Sequence, residues 1–175
     1  VENNPLDGLR NNLLNTRSIS KAAISSKVNK VILISSDKAV RPTNIMGGTK
    51  LLAELIIKNF SKKNDIETKF AAVRFGNVID SSGFVIPIFR EQIKNGGPIT
   101  VTHPEMERFF MTISEAVQLV LQSSVLSNGG ETFILNMGQP VKIIDIAKKM
   151  IITSGLKIKN FKNNDGDIEI KITGM

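Results

Sequence analysis

In this chain of 175 residues, Ser36, Asp37, Lys38 and Lys50 have the types and spacing to do chemistry. A hydroxyl, a carboxyl and an amine in succession offer hydrogen-bonding and titratable groups. A lysine serves as a base only where burial or a neighbouring cation lowers its pKa. The cluster follows the apolar run Val31, Ile32, Leu33, Ile34. The β-branched content and short length of that run predict a strand buried on both faces of a parallel sheet. Ser35 through Lys38 then fall at its carboxyl end, which is where ligands sit in open α/β sheets, so the cluster reads as an active site. Arg41 to Asn44 form a turn, with Pro42 setting its backbone angle and Asn44 or Thr43 able to cap a helix that starts near Ile45. Met46 and Lys50 are spaced to share one face of that helix.

The elements that must position these groups follow from periodicity. Leu9, Leu13, Leu14, Ile19, Ala22, Ala23 and Ile24 have mostly helical spacing and predict a helix over 7–27, with Pro5 and Asp7 as start signals. The helix from Ile45 to Phe60 carries Leu52, Leu55, Ile56 and Phe60 as its expected buried stripe. A second strand over 68–75 leaves Arg74, Gly76 and Asn77 at another carboxyl end, and a loop rich in Gly, Ser and Asp follows over 76–83. A helix is expected over 85–94, with Pro87 tolerated in its first turn. Beyond it come a short strand at 99–102, an extended stretch at 108–113 and a helix capped by Ser114 with Val117, Val120 and Leu121 facing inward. A strand at 132–137, a helix to about Thr153 and a last strand at 167–172 complete the pattern. Strands alternating with helices predict an α/β fold with a mostly parallel sheet. No G-x-G-x-x-G motif opens a βαβ unit anywhere in the chain.

Composition narrows the function classes. A hydrophobic content of 41% fits a folded globular chain. The formal charge of +7 is spread in small groups such as Lys62 and Lys63, and the chain lacks Trp and Tyr for base stacking, so solvated helix faces explain it better than nucleic acid does. The absence of cysteine excludes disulfides and thiolate metal sites, and a single histidine, His103, leaves no histidine-based metal cluster. No apolar run is long enough to span a membrane and no secretory signal opens the chain, so a cytoplasmic location is expected.

The ordered string SSDKAVRPTNIMGGTKLLAE, followed by RFGNV and VIPIFREQIKNGGPITVTHPEMERFF, resembles the inverting UDP-N-acetylglucosamine 4,6-dehydratases of the extended short-chain dehydrogenase/reductase superfamily. In that superfamily a Ser or Thr after a strand is joined by Tyr-x-x-x-Lys on the next helix, and Met46 stands where the Tyr would be. The resemblance implies a partial Rossmann-like sheet, with 1–82 in the cofactor-binding domain and 83–175 mainly in a UDP-sugar-binding region. It implies Asp37 as acid and Lys38 as base for loss of water across C5 and C6, Ser36 on the sugar, and Lys50 with Ser35 on tightly held NADP or NAD. A thioether exchanges no proton, so Met46 is not the C4 base. Asn77, Val85, Pro87 and Arg108 would meet the sugar nucleotide, Arg108 at the diphosphate through bidentate contacts, and Ile99 to Val101 would pass beside the uracil. Arg74 is expected to be a structural strand-end charge and His103 a loop residue. Asp80 and Phe84 depart from the family pattern in the loop around the sugar nucleotide.

Blander explanations exist for each residue alone: a surface pair for Asp37 and Lys38, and a flexible core filler for Met46. The ordered string favours the catalytic one. Two further possibilities are a UDP-sugar epimerase of the same superfamily and a non-catalytic oligomerisation module, with helices 7–27 and 45–60 forming an intersubunit bundle. The strands and glycine-rich loop that such enzymes use for NADP are absent from this sequence, as is the Arg-Pro-Gly-Glu motif that follows in relatives. Weak cofactor binding and no turnover by these residues alone are therefore expected. Many Met-type relatives carry a membrane anchor ahead of this region.

Overall fold

The computed structural model of the chain describes residues 1–79, 85–159 and 165–174. The expected departures at Asp80 and Phe84 lie outside them. In chain order the elements are α1 (Pro5–Leu9), a π-helical stretch (Arg10–Leu14), α2 (Asn15–Ser25), β1 (Lys30–Ser36), a 3-10 turn (Asp37–Ala39), α3 (Ile45–Ser61), β2 (Lys69–Phe75) and β3 (Asn77–Val78). They continue as α4 (Val85–Lys94), β4 (Ile99–Val101), β5 (Glu107–Arg108), β6 (Phe110–Met111), α5 (Ile113–Leu126), β7 (Thr132–Ile134), β8 (Val141–Lys142), α6 (Ile143–Thr153) and β9 (Ile170–Ile172). The chain divides into two compact units, Val1–Gly76 with Ser114–Asn136, and Asn77–Ile113 with Met137–Met175.

The first unit is an α/β layer on a parallel Rossmann-like sheet in the order β1-β2-β7. β1 pairs with β2 in register from Lys30 with Lys69 to Ser36 with Phe75. Its core joins Ile57 and Phe60 of α3 to Phe70 of β2, and the Phe60 and Phe70 rings stack at 5.6 Å. The ammonium of Lys30 donates to the Ser124 carbonyl at 2.5 Å and the Val125 carbonyl at 3.2 Å. It therefore meets the negative end of α5.

Three sequence expectations fail in this unit. β1 is not buried on both faces: among the described residues it has one strand neighbour, and Ile34 is 42% exposed. The inward face of α3 is Ala53, Glu54, Ile57 and Phe60, while Leu52 and Leu55 are exposed. A buried charged residue with an ion-pair partner takes a position that periodicity counting assigns to solvent. On α5, Ala116 and Ser123 face inward, and Ile113, Val117, Leu121 and Val125 form an exposed stripe of helical spacing. Small residues sit against the interior there, Leu119 and the expected Val120 are partly buried, and the expected Val117 and Leu121 point away.

The second unit is held by Phe89 of α4, Ile99 and Val101 of β4, Ile143, Ala147 and Ile151 of α6, and Ile168. Three two-stranded pairings frame it: β3 with β6, β4 with β9, and the antiparallel β5 with β8. The stretch read as loop from Gly76 thus contains a short strand, because Asn77 and Val78 pair with Phe110 and Met111. Among the described residues, no helix is long and apolar enough to cross a membrane.

Candidate active site

The carboxyl end of β1 gathers the predicted chemical groups. Ser36 caps the 3-10 turn: its Oγ accepts the Lys38 N–H at 3.3 Å and donates to Asp37 Oδ1 at 2.9 Å. Lys38 Nζ reaches the same Asp37 oxygen at 3.3 Å, and the two side chains are 36% and 41% exposed. An acid and an amine are therefore linked to each other and open to a ligand. Ala39, the third residue of the turn, is fully buried and anchors it.

Helix α3 brings Met46 and Lys50. Asn44 starts it by accepting the Gly47 N–H at 2.8 Å, so of the two candidate caps Asn44 acts. The Glu2 carboxylate takes the Ile45 and Met46 N–H groups at 3.2 and 2.9 Å, satisfying further donors of the first turn. Met46 is partly buried. Lys50 lies half-buried and donates to the Ile34 carbonyl at 3.2 Å, which ties the helix to the end of β1. Burial pushes its pKa below the ordinary lysine value, because the charged form loses hydration.

Beneath this surface lies a group that pattern reading did not single out. The buried Glu54 carboxylate accepts from Arg74 Nε at 2.8 Å and from Arg74 NH2 at 2.5 Å, a bidentate pair joining α3 to β2. The Ser35 hydroxyl donates to the same carboxylate at 2.5 Å. Arg74 is held above its ordinary pKa chiefly by the Glu54 hydrogen bond, against the opposing effect of burial, with the Glu54 charge adding to it. Ser35 is 5% exposed and faces this pair. The available signal was a lone acid within the apolar run of α3, matched by an arginine at a strand end.

In the second unit, a cleft of about 230 Å³ is lined by Asn77, Val85, Thr100, Thr102, Met106 and Arg108, among others. Three of the four expected sugar-nucleotide residues therefore share one cavity. Pro87 is exposed on α4 and is not among the lining residues. Asn77 Nδ2 donates to the Phe109 carbonyl at 3.3 Å, and Arg108 NH1 to the Glu107 carbonyl at 2.8 Å. Gln92 of α4 fixes Thr100 from both sides, accepting its N–H at 3.1 Å and donating to its Oγ1 at 2.8 Å. Thr100 lies in the stretch 99–101 that the resemblance puts beside the uracil; Thr102 and Met106, further along the same string, were given no role from sequence. His103 Nδ1 accepts the Glu105 N–H at 3.1 Å and so closes a loop turn. Among the described residues, no group of His, Asp and Glu is arranged to hold a metal ion.

Comparison with known proteins adds independent findings. A family profile described as "Polysaccharide biosynthesis protein" matches residues 1–175. The capsular polysaccharide biosynthesis protein CapD of Staphylococcus aureus is 50% identical over 175 residues, covering 100% of this chain and 28% of that protein. A UDP-glucose 4-epimerase of Rickettsia rickettsii is 40% identical over 148 residues, covering 84% of this chain and 43% of its own length. Among solved structures, Pen from Bacillus thuringiensis superposes with a TM-score of 0.88 at 40% identity, over 99% of this chain and 52% of that one. The chain thus spans well under two thirds of the length of each.

Proposed function

The chain belongs to the polysaccharide biosynthesis protein family, and from that premise we propose that the whole protein is a nucleotide-sugar 4,6-dehydratase acting on a UDP-N-acetylhexosamine. The single observation that carries this reading is the Ser36–Asp37–Lys38 turn, where a carboxyl and an amine lie linked and open at the carboxyl end of β1. Asp37 would protonate the departing C6 hydroxyl. Lys38 would take the proton from C5 once the bound sugar buries its amine and draws it off the Asp37 carboxylate, and Ser36 would hold the sugar as well as Asp37. A thioether carries no exchangeable proton, so Met46 takes no part in proton transfer. A bound nicotinamide cofactor, NADP or NAD, supplies hydride acceptance from the sugar and its return. The residues present fit its nicotinamide end: an ammonium has three N–H donors, and Lys50 uses one on Ile34. That leaves donors to orient a ribose hydroxyl beside the strand end.

In the second unit, Asn77, Val85 and Arg108 would take the UDP portion, the Arg108 guanidinium meeting the diphosphate. Pro87 would contribute only by shaping the first turn of α4. A homo-oligomer through the helices of residues 7–27 and 45–60 is also proposed. Its support is the exposure of Leu9, Leu14, Ile19, Leu52 and Leu55 on those helices, and a monomer in light scattering would count against it.

The test is mass spectrometry of the product that the longer protein makes from UDP-N-acetylglucosamine. Loss of one water is expected, and Asp37→Asn should abolish that loss. The epimerase relative favours a second reading, in which the product keeps the substrate mass with C4 inverted. That outcome would overturn dehydration.

A further inference from the structure

Resting on the assignment of the elimination to Asp37 and Lys38, we propose that Gly47 is a positioning residue for that pair. Its missing side chain lets the first turn of α3 lie against the Lys38 carbonyl. The Asp37–Ala39 turn is thereby set at a fixed height on the helix that carries Met46 and Lys50.

The geometry leaves no room for a methyl group. A Cβ on Gly47 would fall inside van der Waals contact with the Lys38 carbonyl oxygen, 3.1 Å from its carbon and 3.2 Å from Asn44 Oδ1. The Lys38 atoms are backbone and cannot rotate aside. The Asn44 oxygen is the helix cap, already accepting the Gly47 N–H at 2.8 Å. Retreat of the turn inward is blocked by Ala39, which is 0% exposed. A methyl group at this position therefore swings the Asp37–Lys38 turn or uncaps α3. Gly48, one residue on in the same helix, has nothing within 4 Å of its would-be Cβ. Neither glycine has the left-handed backbone that would itself require glycine. The two positions thus differ in the space around them, and only the first is filled by the strand end.

A displacement of about 1 Å in a reacting group can cost about a hundredfold in rate. In the longer protein, Gly47→Ala is expected to lower kcat by about tenfold to a hundredfold and leave the KM for the UDP-sugar within about twofold. Gly48→Ala should keep kcat and raise the melting temperature, since alanine favours helix. In amide spectra of the chain, Gly47→Ala should move the signals of Asp37 to Val40, and Gly48→Ala should not. The inference is overturned if the two variants share the same kcat, or if the Asp37 to Val40 signals move no more in the first than in the second. Should Gly47→Ala fail to fold, the double variant G47A/G48A regains helix propensity and takes its place; failure of that variant also overturns the inference, leaving Gly47 a folding residue. If the longer protein turns over no UDP-sugar at all, the functional reading falls, and the amide spectra still judge the position of the turn.

Discussion

The end of β1 and the cleft of the second unit are built by opposite means. At β1, a buried ion pair and three hydroxyl or amine contacts hold charged groups drawn from three nearby elements. In the second unit, an apolar core of Phe89, Ile99, Val101, Ile143 and Ile151 supports a cleft assembled from scattered segments, with Arg108 exposed at its wall. The proposed acid–base site is tied by directional bonds. The proposed nucleotide cleft offers shape and one exposed cation.

The contrast is sharpest in what breaks each unit. Glu54→Ala should cost about 3–5 kcal/mol in urea unfolding, because it leaves a largely buried Arg74 charge without a partner. Replacing both, as E54L/R74M, should cost much less. Equal losses in the single and double variants would mean that α3 depends on the volume of Glu54 and not on its charge. Phe89→Ala should cost a similar amount, about 3–5 kcal/mol, but by opening a cavity in the other unit. A partner substitution should not repair it.

Arg108→Ala separates binding from stability. The side chain is exposed, so unfolding should change by less than about 0.5 kcal/mol. UDP affinity measured by calorimetry should fall by about tenfold through the lost charge-assisted contact. Unchanged affinity would move the diphosphate away from this cleft.

The smallest effect is expected at Lys50. Its pKa in the folded chain is lowered by burial, so the unfolded chain binds more protons between that lowered value and the ordinary lysine value of about 10.4. Stability from this group therefore rises as pH climbs through that window, and at neutral pH the buried charge is a cost. Lys50→Met should be slightly more stable than the parent at neutral pH, with the gain shrinking as pH approaches the top of the window. A gain independent of pH would show that the thioether helps by contact alone.

Much of the first unit was legible because its signals are local. The strand ends at Ser36 and the helix cap at Asn44 lie within one continuous string, and the structure has β1 and α3 close to the positions that periodicity predicts. The inward face of α3 was misread because periodicity treats a glutamate as solvent-facing. Glu54 is buried because Arg74 of β2 and Ser35 of β1, both distant in sequence, supply its partners. Met106 was given no role for a related reason: the β5–β8 pairing beside it joins distant segments, and no local pattern marks a methionine for a cleft. Arg108, Asn77 and Val85 entered through family resemblance, and all three line one cleft.

The outward stripe of α5 has a colloidal consequence. Val117, Leu121 and Val125, each between 52% and 78% exposed, give the first unit an adhesive seam. The chain's +7 charge opposes contact between molecules in dilute buffer. At high ionic strength that repulsion reaches only a few ångströms, about 3 Å at 1 M salt. Concentrated solutions of this chain are thus expected to cloud as salt is added, and the substitution Val125→Lys should raise the salt concentration at which they do.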